Sequence, residues 1–267
     1  MAIDAGTSPR DVDTVNLRAE LVKTGAMLPP GEKSRLADKW EETFGALRAL
    51  PAPDQATELV AELNGERSSE ALLALATSPE APESLLAELR RAAASDVPAL
   101  RFRASAALAM RGDEAAAPGL LKALRERQGT TPAPECRGVK VDTPAWIPSI
   151  ILLGRLGCAE AVPDIVAVME DADSSLDARL SAIRALSRIG DAAAVPALEK
   201  LLEASHESVM RNLQTSSKAG KLKSPPQPAA WQIELTAAEA LGRMGVARRD
   251  LVEKHADDQR ALVRRRA

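Results

Sequence analysis

The chain is 267 residues long, and its 51 Ala and 34 Leu make up about a third of it, whereas three Trp, two Phe and no Tyr leave five aromatic side chains. This helix-forming, aromatic-poor composition excludes a β-sandwich or barrel, and an apolar content of 45% excludes a disordered chain. With 35 basic against 38 acidic residues the net charge is −3, so no global field draws a phosphate backbone or an anionic lipid surface.

The first 65 residues read as a helical N-terminal cap (1–65) ahead of a repeat solenoid (66–267). Residues 11–23 predict a helix ending at Gly25, residues 32–50 a second with Leu36, Trp40, Phe44 and Leu47 at helical spacing, and residues 54–63 a third. Trp40 and Phe44 stand four apart, the spacing of a packed core ridge. Residues 69–94 then predict a helical pair broken at Ser78-Pro79.

A repeat follows. With Gly112, Gly157, Gly190 and Gly245 in register, four residues before each stands a leucine: Leu108, Leu153, Leu186 and Leu241. Eight residues before comes Ala104, Ser149, Ala182 or Ala237, and directly before comes Arg111, Leu156, Ile189 or Met244. These positions share one helical face, with Arg111 the exception. Each glycine suits the left-handed conformation that ends a helix, and Asp113 and Asp191 follow as candidate N-caps. Six residues after the glycine stands Pro118, Pro163 or Pro196, placed where a first helical turn tolerates proline. The second helix presents Leu120, Ile165 and Leu198, then Leu124, Met169 and Leu202 four residues on. Each unit is therefore a helical hairpin, and stacking buries a core that no single hairpin buries alone.

DADSSLDARLSAIRALSRIGDAAAVPALEKLL, beginning at Asp171, resembles a unit of the HEAT-type repeats of phycobilisome lyases, and RFRASAALAMRGDEAAAPGLLKAL, beginning at Arg101, resembles a second. Residues 146–170 form a diverged third, and residues 231–258 a fourth with Leu251 where the proline belongs. The resemblance implies an all-α fold, a right-handed α-solenoid of antiparallel helical hairpins. It also implies an alternative activity, because repeats of that family handle a bilin and its carrier protein. Near the start, DVDTVNLRAELVKTGAML is similar to a segment near the end of the catalytic region of some bacterial FAD-dependent oxidoreductases. That likeness implies an accessory module of a larger enzyme.

The register glycines are spaced by 45, 33 and 55 residues, so insertions of 12 and 22 residues interrupt the array near 128–143 and 205–230. Both follow a second helix, so both emerge on one edge of the stack and flank a groove lined by second helices. The second holds Arg211, Lys218, Lys221 and Lys223 against Glu207, then SPPQPAA, and reads either as a contact for an acidic partner or phosphate or as a solvated, partly disordered loop. Trp146 and Trp231 each begin a repeat just after an insertion, where they anchor the returning chain or offer a face to a partner. With Arg137 and Lys140 of the first insertion, these are the candidate partner-binding residues.

Catalytic chemistry lacks its parts. The two histidines, His206 and His255, cannot supply the several His-Glu pairs by which HEAT-like deoxyhypusine hydroxylases hold a di-iron centre, since His206-Glu207 is the single pair. Cys136 and Cys158 have no CxxC spacing and read as free thiols. No GxxxxGK[ST] or GxGxxG motif occurs. Asp164, Glu170, Asp171 and Asp173, near a helix end, read as solvated acids. The opening MAIDAGTSPR lacks a basic start before an apolar stretch, and no run of about 18 apolar residues occurs. The expectation is a cytoplasmic, non-catalytic scaffold with a protein partner, no cofactor or metal, and no nucleic-acid or membrane partner.

Overall fold

The computed structural model describes residues 60–65, 68–77, 81–131, 143–211, 214–217, 220–223 and 226–267. The chain divides into two units, 1–50 and 51–267, and all described elements belong to the second. The helices predicted over 11–23 and 32–50, most of that over 54–63, and the Trp40/Phe44 pair lie outside the described residues.

The helices are α1 (Ser68–Thr77), α2 (Glu83–Ala93), α3 (Pro98–Arg111), α4 (Ala117–Glu126), α5 (Trp146–Leu156), α6 (Val162–Glu170), α7 (Leu176–Ile189), α8 (Val195–Glu203), α9 (Ala230–Arg243), α10 (Arg249–Ala256) and α11 (Ala261–Arg266). They form a two-layer all-α solenoid: α3, α5, α7 and α9 pack in succession, and α4, α6 and α8 each pack on the first helix that follows. One apolar core runs through the array from Val60 to Leu241.

The repeat register explains that core. Leu108, Leu153, Leu186 and Leu241 are each 0% exposed, as are Ala104, Ser149, Ala182 and Ala237 one turn earlier. Ser149 keeps a hydroxyl at a buried position because it donates to the Ala145 carbonyl at 2.9 Å. Arg111, the polar exception, is half-buried and donates to the Leu75 carbonyl at 3.1 Å. In the second helices Leu120, Ile165, Leu198, Leu124 and Met169 are buried, and Leu202 is half-buried.

The four register glycines take φ of 82°, 67°, 71° and 87°, a region where a Cβ is strained. At three of the turns the residue after the glycine donates back to the register leucine: Asp113 to Leu108 at 3.0 Å, Cys158 to Leu153 at 3.1 Å, and Val246 to Leu241 at 2.8 Å. In the third unit Gly190 itself bonds Leu186 at 2.9 Å. The leucine thus fills the core with its side chain and closes the helix with its carbonyl.

One detail of the turn differs from the sequence expectation. Asp113 and Asp191 cap a 3-10 turn rather than the second helix itself, each accepting from the N–H two residues on at 2.9 Å. A short aspartate side chain reaches that N–H most easily, as in an Asx turn. Cys158 holds the equivalent place without a capping bond. Pro118, Pro163 and Pro196 then fall in the first turn of α4, α6 and α8.

Each insertion is closed at its neck by a two-residue antiparallel ladder. Strand β1 (Thr130–Thr131) pairs with β2 (Thr143–Pro144), and β3 (Met210–Arg211) pairs with β6 (Gln227–Pro228). Between the latter, β4 (Gln214–Ser217) pairs with β5 (Gly220–Lys223), so the second insertion is a nested ribbon. Both necks end alike: the buried Ala145 donates to Gly129 O at 3.1 Å, and the buried Ala229 donates to Val209 O at 2.9 Å. Pairing the strand edges satisfies polar groups that an extended loop leaves to water.

Helix spacing depends on small side chains. A Cβ on Gly154 of α5 would lie 2.7 Å from Ala185 Cα of α7, so the two backbones touch. Gly242 has the same register place in α9, yet a Cβ there meets nothing within 4 Å. Gly154→Val therefore destabilises by about 1–3 kcal/mol, whereas Gly242→Ala is neutral or stabilises by up to about 1 kcal/mol. Leu186→Ala costs about 2–5 kcal/mol. Denaturant unfolding of the three variants checks these values, and a change within about 0.5 kcal/mol for Leu186→Ala contradicts the register.

Candidate functional site

A cleft of about 500 Å³ opens where the end of α6, the start of α7, the end of α8 and the neck of the second insertion meet. Its lining includes Glu170, Arg179, Lys200, His206 and Met210. Lys200 reaches from α8 to Glu170 of α6 at 2.9 Å, and the carboxylate beside it raises the lysine pKa. Met210, 46% exposed, places a large apolar side chain at the rim. The lining therefore combines an apolar rim with a paired cation and anion.

Arg179 occupies a register position that joins the two layers. Eleven residues before the glycines stand Arg101, Trp146, Arg179 and Glu234. Arg179 is buried and donates from Nε to the Met169 carbonyl in the last turn of α6 at 3.0 Å. Burial lowers its pKa, opposed by the charge of Asp171. Arg101 is equivalent: it bonds the Ser95 carbonyl at 3.1 Å, just past α2, and Glu126 at 2.8 Å. Arg179 thus serves a helix-end carbonyl that lacks an intrahelical partner, and Arg101 a carbonyl of the loop just past α2.

At the third such position, Trp146 is half-buried against the core. The Arg127 guanidinium lies 5.0 Å from its ring centroid and 3.5 Å from Asp171. Arg127 ends α4 with φ 51°, a conformation in which a side chain other than glycine is uncommon. Asp171 accepts from Ser174 Oγ at 2.8 Å and from the Asp173 N–H at 3.0 Å, and these bonds, followed by Arg127, lower its pKa. Trp146, just after the first insertion, is thereby tied through Arg127 to the loop that borders the cleft.

The candidate partner-binding residues are only partly brought together. Arg211 of β3 is exposed, bonds Gln232 Oε1 of α9 at 2.9 Å and lies 3.7 Å from Asp177 of α7. Trp231, beside Gln232 in α9, is half-buried. Lys221 and Lys223 lie in β5, opposite Ser216 and Gln214. Arg137, Lys140 and Lys218 lie outside the described residues, as does Cys136. Cys158 is half-buried. The cleft residues Arg179, Lys200 and Met210 belong to no motif in the sequence, and His206 enters it only as half of the lone His-Glu pair. Their one legible signal was the recurrence of Arg101 and Arg179 in register.

The acids of α6 and of the loop after it are more engaged than their sequence context suggests. Asp164 meets Arg125 at 2.9 Å, Glu170 meets Lys200, and Asp171 caps its own loop. These exposed pairs are worth about 0–1 kcal/mol each, but they align successive second helices. Among the described residues, no group of three His, Cys, Asp or Glu side chains is placed to hold a metal ion, and no helix is long and apolar enough to cross a membrane.

Both histidines support the fold. His206 Nε2 lies 2.8 Å from the Leu201 carbonyl, and His255 Nε2 lies 2.6 Å from Glu234, which Lys254 also meets at 2.9 Å. Burial pushes the Glu234 carboxyl up, but hydrogen bonds from Lys254 and His255 outweigh it and hold the group below its ordinary value. Asp258, bonded by the Arg260 side chain and backbone, is likewise held well below the carboxylate range. A depressed folded pKa contributes stability that is present above the unfolded value and lost as pH falls through the folded one. Thermal unfolding against pH is therefore expected to steepen below about pH 4.5, and Glu234→Gln should flatten that limb.

Removing residues 216–226 leaves both pairs of the β3–β6 neck and the Ala229 bond in place. Its expected cost is a melting-temperature change within about 2 °C, as for a surface loop. A larger loss would mean that the ribbon packs as part of the stack.

Residues 149–217 match the family model described as HEAT repeats. No curated protein matches the chain. One solved structure similar to it is the complex of CpcE and CpcF of phycocyanin lyase from Nostoc sp. PCC7120, at 22% sequence identity and a TM-score of 0.43. That match covers 71% of this chain and 64% of the other, less than two thirds of its length. The matched segment, from α5 through α8 and into the second insertion, is a stretch of HEAT repeats, and the described hairpins on either side continue its register in an all-α solenoid.

Proposed function

We propose that the chain is a non-catalytic protein-interaction scaffold whose partner lies along the second-helix face, flanked by the two insertions. The observation that carries this reading is the second insertion: it is a β ribbon held at its neck by backbone bonds, standing beside the cleft with Met210 exposed at the rim. A prepared, partly apolar surface of this kind suits a protein segment, with Lys200, Glu170 and Arg211 as polar edges. The placement of His206 and His255 in fold contacts agrees with a binding role rather than acid–base chemistry.

The test compares affinity capture by the full chain with capture by the 216–226 deletion and by a Met210→Ser/Arg211→Glu variant, alongside an absorbance scan of the purified protein. The reading expects a protein recovered with the wild type and depleted at least about tenfold with both variants. Equal recovery by all three would move the binding surface away from the insertion. A bound chromophore with no protein partner would replace the scaffold by a bilin-handling activity.

A further inference from the structure

A second, smaller cleft of about 170 Å³ lies between α7, α9 and α11. It is lined by Arg184, Ser187 and Arg188 of α7, Glu239 and Arg243 of α9, and Arg266 of α11. Four guanidiniums therefore face one carboxylate, in a chain whose net charge is −3. Glu239 is shared: it accepts from Arg243 at 2.8 Å and from Arg266 at 2.5 Å. Arg184 and Arg188 are exposed, and neither has an ion-pair or hydrogen-bond partner among the described residues. Like charges four apart on a helix repel. Beside them, the Ser187 hydroxyl oxygen is closed off from solvent without a hydrogen-bond partner. Buried hydroxyls are rarely left so.

These features complement one kind of ligand. A tetrahedral oxyanion accepts hydrogen bonds from several directions, which suits guanidinium forks converging from three helices. It relieves the Arg184–Arg188 repulsion and supplies an acceptor for Ser187. We infer that this cleft is a binding site for a phosphate-type oxyanion, as free phosphate or as a phosphomonoester, held by Arg184, Arg188 and Ser187 with Arg243 and Arg266 completing the charge. The site is made by first helices and the C-terminal helix, and so is independent of partner binding at the second insertion.

The experiment titrates the full chain with inorganic phosphate, and in a second arm with phosphoserine, at ionic strength matched by sodium chloride, reading thermal unfolding and calorimetric heat. Saturable binding with a rise in melting temperature over the chloride control is expected. Arg184→Gln/Arg188→Gln should weaken it at least about tenfold, because it removes two charge-assisted contacts, and its circular dichroism should stay unchanged because neither side chain has a partner in the fold. Ser187→Ala should weaken binding by a smaller factor, and Arg155→Gln, an exposed arginine of α5, should leave it unchanged. Phosphoserine binding as tightly as phosphate would assign a phosphomonoester ligand, and phosphate alone would assign the free ion. No saturable response in the wild type, an unaltered response in the double variant, or an equal response to acetate would overturn the assignment.

Discussion

The first helices α5 and α7 meet backbone against backbone, and that spacing governs the middle of the stack. Where Gly154 faces Ala185 there is no room for a Cβ, so the pair approaches more closely than two ordinary helix faces do. At that distance the register leucines of neighbouring repeats share one core. Their carbonyls are then available to close the turn that sends each chain segment into the second layer. Core packing and helix termination are therefore set at the same residue. Gly242, at the same register place, faces nothing, and the equivalent places in α3 and α7 hold Ala109 and Ser187, so the glycine is a need of the α5–α7 junction and not of the register.

The second layer is held differently. Exposed ion pairs such as Arg125–Asp164 and Lys200–Glu170 run from one second helix to the next, while buried arginines reach across to the ends of the preceding helices. An exposed pair gives alignment more than stability. The buried Arg179 guanidinium answers a helix-end carbonyl that would otherwise stay unpaired. This division leaves the second-helix edge open to carry insertions, and both insertions use it. Each returns through a two-residue ladder and a buried alanine before the next first helix begins. The tryptophans after the insertions are thus accompanied by a backbone device that the side-chain pattern did not reveal.

Much of the fold was legible because its signals are local and repeated. Glycine, aspartate and proline at fixed offsets specify a turn whatever lies beyond it, and the leucine and alanine faces state which side is buried. The 3-10 turn was less legible, since an aspartate before a helix caps either kind of turn. The candidate cleft was hardly legible at all. Arg179, Lys200, His206 and Met210 are scattered over 32 residues, with ordinary neighbours in sequence, and meet only because α6, α7, α8 and the ribbon neck converge. The same holds for the arginine cleft, whose members come from α7, α9 and α11. Of these, only the four-residue spacing of Arg184 and Arg188 was open to inspection.

By itself, then, the sequence determined the class of architecture, the hairpin unit, its buried face and the places where the array is interrupted. The physical reason is that helix periodicity and turn chemistry act over a few residues and need no knowledge of distant segments. Tertiary structure alone decided which charges pair and which remain open, how closely the first helices approach, and what form the insertions take. Those outcomes depend on groups far apart in the chain, and their energies are defined only once stacking has fixed the distances between them.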